Sequence, residues 1–234
     1  MDEKTTSQSA WVAVGSDRVQ VWLSDKGLSA LLVMLAVDLF LLPVFAPRLG
    51  RFTLDVAYSV LLVTGAASLC ATRVPRYLAL ATTVLALAFR WLEPPGVDSV
   101  TPFGTAFATL AAMVVFSLLV FLRTMSPGPI TRFRIQGAVA TYMLIGITFA
   151  RAFELTELLA AGSFRFTSAT LPQDVRYELG YYSLVTLTTL GYGDVTPVSR
   201  VARSLANLEG LIGQLYPVVI LGWMVSSLRS RRSD

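Results

Sequence analysis

A chain of 234 residues that is 54% hydrophobic and only 15% charged, with a mean hydropathy of +0.63, is too apolar for a water-soluble domain of its length. The formal charge of +4 names no acidic partner, because the arginines cluster in short segments between apolar runs, where membrane orientation accounts for them without nucleic acid. Cys70 is the only cysteine, so an intrachain disulfide and a metal site built on thiolates are both excluded.

The amino terminus, Met1 to Ala10, is polar and acidic and does not resemble a cleaved signal peptide, which leaves the first spanning helix as the expected insertion signal. Trp11, Val14, Val21, Trp22 and Leu23 then mix with Asp17, Arg18 and Asp25. Residues 1–27 therefore read either as an interfacial amphipathic helix or as a tethered cytoplasmic tail. A hydrocarbon core of about 30 Å needs roughly 20 apolar residues in helix. Six runs of that kind come next: Leu28–Ala46, Leu54–Ala71, Tyr77–Leu92, Phe103–Leu122, Ile135–Phe153 and Ser204–Leu228. They divide into a four-helix unit, 28–131, and a two-helix unit, 132–234. Between the last two runs lies Glu154 to Arg203, whose apolar stretch Leu184–Leu190 is too short to cross and reads as a re-entrant loop.

Six crossings put both termini on one side. Arg73 and Arg76, then Arg123, Arg132 and Arg134, then Arg229, Arg231 and Arg232 share that side, which marks it as cytoplasmic; Arg48 and Arg51 run against the rule. The linker Arg123 to Thr131 holds Pro127, Gly128 and Pro129, so it is expected to be a short turn that packs each four-helix unit on its own two-helix unit. About six residues come after the last helix, so no soluble regulatory domain is expected there.

The re-entrant segment carries the chemistry. A cation entering a membrane must shed water, and a ladder of backbone carbonyls can replace that shell. Turning successive carbonyls to one axis needs residues that alternate between right- and left-handed backbone, and glycine alone enters the latter without steric penalty. Gly191 and Gly193 meet that need in Thr188-Thr189-Leu190-Gly191-Tyr192-Gly193-Asp194.

Residues Tyr181 to Pro197, YYSLVTLTTLGYGDVTP, resemble the pore loop of the tetrameric potassium-channel family. The resemblance implies an all-α membrane protein with six spanning helices, a pore helix and a selectivity filter between the fifth and sixth, assembled as a homotetramer in a plasma membrane of prokaryotic type. It implies potassium ions held at Thr189, Leu190, Gly191 and Tyr192, with Gly193 closing the outer mouth, and no cofactor besides the permeant ion. Thr188 would end the pore helix; Thr170, Pro172, Gln173 and Asp174 offer its start. Tyr181 and Tyr182 stand where the family often has two tryptophans, so Tyr182 is expected near Tyr192 and Tyr181 is expected to donate to Asp194. Val185 replaces a glutamate that supports this aspartate in some members, and Leu190 replaces the commoner valine. Passive conduction is then the expected function, not enzymatic catalysis. The rivals are a non-conducting regulatory subunit and a potassium transporter, whose related loops occur four times in one chain where this one occurs once.

In the last helix, Gly210 and Gly213 serve either as a gating hinge or as close-packing positions beside the pore helix, and Pro217 is expected to bend the helix. Glu209 must find a partner behind the filter or at a subunit interface, and Gln214 is placed on the cavity. The fourth helix, Phe103–Leu122, has no charged residue, so the four-helix unit looks like a voltage-sensor domain stripped of its gating charges. Asp38 is left facing a water-filled crevice or a basic partner, and Arg90 snorkelling to an interface.

Overall fold

The computed structural model describes residues 27–45, 51–68, 73–91, 101–126, 131–167 and 175–230. Seven helices and one small ribbon run in chain order: α1 (Gly27–Phe45), α2 (Arg51–Ser68), α3 (Arg73–Trp91), α4 (Thr101–Met125), α5 (Arg132–Leu159), β1 (Phe164–Phe166), α6 (Val175–Leu187), β2 (Val195–Pro197) and α7 (Arg200–Ser230). The segment 11–25, the loop 93–100, Arg48, the turn Pro127–Pro129, Arg231, Arg232 and the candidate start Thr170–Asp174 lie outside the described residues.

Among the described residues, four helices are long and apolar enough to cross a membrane: α1, α4, α5 and α7. Shorter apolar stretches run through α2 (Val56–Ala66) and α3 (Tyr77–Trp91). Such a helical, apolar chain fits an α-helical membrane protein, since a spanning helix satisfies all its backbone groups internally. One feature departs from an all-helical reading and another from the expected helix ends. The ribbon pairs Phe164 with Pro197, Arg165 with Thr196 and Phe166 with Val195, antiparallel. In addition, α5 continues six residues past Phe153 because Glu154, polar enough to look like a loop residue, is neutralised inside the protein.

Side-chain packing explains how the first four helices hold together. The ring of Phe116 on α4 fills the space a side chain would need at Gly65 of α2, and Phe89 of α3 does the same at Gly104. Leu31, Leu35, Leu61, Leu62, Met113, Phe116 and Leu144 are buried in one core that runs from α1 to α5. The α4 helix lies along α5 of the same chain, where Ser117 and Thr148 exchange a hydrogen bond of 3.0 Å and Gly137, lacking a side chain, leaves room for Thr124, whose hydroxyl donates to the Val120 carbonyl. At the far end, Arg134 donates to Ser126 and lies 5.8 Å from the Trp223 ring, tying together the ends of α4, α5 and α7.

Among the described residues, two prolines sit beyond the first turn of their helices, Pro43 and Pro217, with different results. Pro43 cannot donate to the carbonyl four residues back, and the turn before it widens to a π-helical stretch, Val37–Leu41, closed by the Leu42 N–H on the Val37 carbonyl. Asp38 lies in that stretch. Pro217 deprives the Gly213 carbonyl of its donor, yet α7 runs unbroken through it from Arg200 to Ser230.

Candidate functional site

The way α6 ends sets the backbone of the strand beyond it. Leu187 is its last helical residue, and Thr189, one residue past the cap, has a φ of 60°. The Thr189 N–H donates to the Thr186 carbonyl at 3.0 Å and the Leu190 N–H to the Val185 carbonyl at 2.9 Å. This pair of bonds is the helix-terminating motif whose left-handed position is usually glycine. For threonine that backbone costs roughly 1–2 kcal/mol, and such outliers persist only where their surroundings over-determine them.

Gly191 and Gly193 are left-handed too, with φ of 59° and 79°. Every second residue from Thr189 to Gly193 therefore has inverted backbone. The Gly191 N–H also reaches the Val185 carbonyl, at 3.4 Å. Donors along this stretch are thus drawn back onto α6, while among the described residues no hydrogen bond ends on the carbonyls of Thr189, Leu190, Gly191, Tyr192 or Gly193. A row of unengaged carbonyl oxygens on an exposed strand must find partners elsewhere, and a cation without its water is one they suit.

The outer end is pinned from two sides. Asp194 receives the Tyr181 hydroxyl on Oδ2 at 2.7 Å and the Val195 N–H on Oδ1 at 3.1 Å, and its carbonyl takes both the N–H and hydroxyl of Thr167, at 2.9 and 2.8 Å. The Tyr181 hydroxyl holds the Asp194 carboxyl below the usual carboxylate range, and the same bond, with some burial, pushes Tyr181 up to about 12. The ribbon completes the frame. Glu157 caps the turn before β1 by accepting the N–H groups of Gly162 and Phe164, and the Val198 N–H closes onto the Ser163 carbonyl at 2.8 Å.

Behind the segment, Tyr182 is buried with its ring 5.1 Å from that of Phe153 and 5.5 Å from that of Phe164; Tyr192, its expected neighbour, is not among its ring contacts within the protomer. Thr188 returns its hydroxyl to the Leu184 carbonyl at 2.6 Å, and Val185 is buried. An open recess of about 340 Å³ lies between the segment and α6, lined by Tyr182, Val185, Thr186 and Val195 among others.

The inner end rests on α7. A side chain at Gly213 would stand 2.8 Å from the carbonyl carbon of Leu187 and closer still to its oxygen, so α7 touches the last turn of α6 backbone to backbone. Gly210 has no protomer atom within 4 Å of where its Cβ would be. Tyr142 of α5 donates to the Leu187 carbonyl at 3.1 Å, and its ring lies 5.6 Å from Tyr216, whose hydroxyl donates to the Ala138 carbonyl at 2.8 Å. Glu209 is fully buried within the protomer, not at its surface. The Ser183 hydroxyl lies 2.5 Å from Glu209 Oε1 and 2.6 Å from the Gly146 carbonyl, while Glu209 Oε2 has no partner among the described residues. Gln214 is exposed on the protomer.

Sequence reasoning passed over Thr189 as a strained residue, and over Ser183, Thr167 and Glu157. Only Glu157 carried a local signal, five residues before a glycine that turns the chain. Half-buried Arg90, near the end of α3, places its guanidinium 4.8 Å over the ring of buried Tyr58.

Residues 152–230, from the end of α5 to the end of α7, match a family described as "Ion channel". Over 85 residues the chain is 34% identical to "Two pore potassium channel c" of Oryza sativa subsp. japonica, an alignment that takes in 36% of this chain and 17% of that relative. No solved structure matches. Over residues 152–230 the chain is thus similar to ion channels, and the relative it matches over 85 residues is a potassium channel.

Proposed function

We propose that this chain is one subunit of a potassium-selective channel whose filter is Thr189 to Gly193. One observation carries the reading: on every second residue the backbone is left-handed, and the carbonyls along that strand accept no hydrogen bond from the described residues of the protomer. Carbonyls in this state offer a dehydrated cation what water no longer does. The innermost ligand is the hydroxyl and carbonyl of Thr189, succeeded outward by the carbonyls of Leu190, Gly191 and Tyr192. Because α6 ends directly below, the negative end of its dipole favours a cation at the inner entrance.

One strand cannot surround an ion, and the working unit is a homotetramer around a central axis. Two features of the protomer favour it. Leu190 and Tyr192 are 58% and 67% exposed, which suits side chains that neighbours cover. The recess beside Tyr182 is of a size to receive an aromatic ring from an adjacent subunit. Each four-helix unit sits on its own pore module, as the packing of α4 along α5 suggests.

Gating by voltage is weak or lacking. Moving one charge across the field contributes about 2.3 kcal/mol per 100 mV, and α4 has no charged residue before Arg123. Purified protein in potassium-loaded liposomes tests the whole reading: potassium efflux exceeding sodium flux, lost when Gly191 becomes alanine, is expected. A monomeric protein, equal sodium flux, or a gating charge of several elementary charges per tetramer would each overturn a stated part of it.

A further inference from the structure

Where α1, α2, α3, α5 and α6 meet, the described residues bring three arginines, two carboxylates and one buried ring together. Arg151 and Glu154 stand one turn apart on α5, joined at 2.7 Å through Oε2. The other carboxylate oxygen takes Arg176 of α6, whose Nε and Nη2 both lie 2.7 Å away. On its far side, Arg151 lies over the ring of Tyr58 on α2 at 5.5 Å, and Arg90 of α3 lies over the same ring at 4.8 Å. Asp38, in the π-helical stretch of α1, is close enough to act electrostatically on Arg90 and Arg151. Tyr177, beside Arg176 on α6, falls within range of Arg90, Arg151 and Asp38.

Packing alone does not call for such a cluster, since apolar side chains of the same volume fill a buried site at least as well as ion pairs. What ionic and cation–π contacts add is direction: a carboxylate that takes two guanidinium groups fixes both in register, and a ring face holds a cation only above it. The α6 helix is thereby tied near its start, at Arg176, to the four-helix unit. At its other end the Val185 carbonyl binds the N–H groups of Leu190 and Gly191. A helix of 13 residues, about 20 Å long, links the two.

We propose that Tyr58 and Glu154 are positioning residues for conduction, by which a four-helix unit without gating charges holds α6 and so sets the geometry of the strand after it. The link to conduction rests on the proposed channel function; the mechanical link from Tyr58 to α6 does not. Four variants of the full chain test both: Tyr58→Phe, Tyr58→Leu, Glu154→Gln and the double variant Tyr58→Leu/Glu154→Gln. Amide hydrogen exchange over residues 175–187 is measured in detergent, and potassium and sodium flux in liposomes.

Tyr58→Phe keeps the ring and leaves exchange and flux as in the wild type. Tyr58→Leu raises exchange in α6 about tenfold, the order of a desolvated cation–π contact, although Tyr58 belongs to α2, and Glu154→Gln does the same. The double variant exceeds the larger single effect little, because both cut one chain of contacts. Unchanged α6 exchange in Tyr58→Leu, an equal rise in Tyr58→Phe, or effects that simply add overturns the mechanical link. If Glu154→Gln does not fold, the two Tyr58 variants decide alone. Raised exchange with potassium selectivity intact overturns the positioning role, whereas a wild type that carries no potassium sinks the channel reading and leaves the exchange result standing.

Discussion

Replacing Gly213 with alanine sets two effects of opposite sign against each other. Helix propensity favours alanine by about 1 kcal/mol. Against that, the new methyl would lie 2.8 Å from the carbonyl carbon and 3.1 Å from the Cα of Leu187, inside any normal contact distance. The obstacle is backbone, not a side chain that can swing away, and it is fastened by the Tyr142 hydroxyl at 3.1 Å. Overpacking of this kind costs roughly 1–3 kcal/mol, so Gly213→Ala is expected to be destabilising by up to about 2 kcal/mol after the propensity gain. Gly210→Ala, with no protomer atom within 4 Å, keeps the gain without the clash. Thermal unfolding of the purified protein, at fixed protein and potassium concentration, compares the two. Gly213→Ala melting at or above the wild type, or together with Gly210→Ala, would show that α7 does not press on the end of α6.

Gly193→Ala forces an L-residue into a φ of 79° at a cost of roughly 1–2 kcal/mol per subunit, and liposome flux is expected to show potassium selectivity lost while the protein still assembles. Thr189→Gly relieves the same kind of strain but removes a hydroxyl, so thermal stability is expected to hold or rise while the potassium-to-sodium flux ratio falls. At the outer mouth, the Asp194 carboxyl is depressed, so its contribution is full above the ordinary carboxylate range and is lost as pH falls through the depressed value; Tyr181 is raised, so its contribution is full below pH 10 and is lost as pH approaches about 12. Melting temperature measured against pH is expected to show both flanks, each shrinking in Tyr181→Phe. Glu209→Gln keeps a partner for Ser183 and is expected to melt near the wild type, whereas Glu209→Ala opens a cavity and leaves Ser183 only the Gly146 carbonyl, with a loss of at least the roughly 0.5–1.5 kcal/mol of the hydrogen bond.

The hydrophobic runs gave α1, α4 and α7, and the start of α5, to within a few residues, because a helix facing lipid must be apolar along its length. Gly191 and Gly193 were equally legible, since their type states their backbone. What escaped notice depends on partners far apart in the chain. Glu154 looked like the start of a loop only because Arg176, 22 residues on, cannot be seen beside it in sequence. The strands Phe164–Phe166 and Val195–Pro197 are three residues each, too short for alternation to stand out. Tyr58 looked like one more aromatic residue in an apolar run, and its two cations arrive from α3 and α5.

Thr189 shows why the most consequential local feature was the hardest to read. Its left-handed backbone belongs first to the end of α6, where the carbonyls of Val185 and Thr186 need donors that a continuing helix would have given them. Terminating the helix in this way throws the chain into the alternation that Gly191 and Gly193 then continue. The amides of Thr189, Leu190 and Gly191 are used up on α6, and the carbonyls that go with them are left over. A single device therefore stops the helix and leaves the carbonyls of the strand without internal donors. Glycine at position 189 would stop the helix with less strain. That a β-branched residue stands there instead argues that its side-chain oxygen is needed at this end of the strand, as the proposed ion site at Thr189 requires.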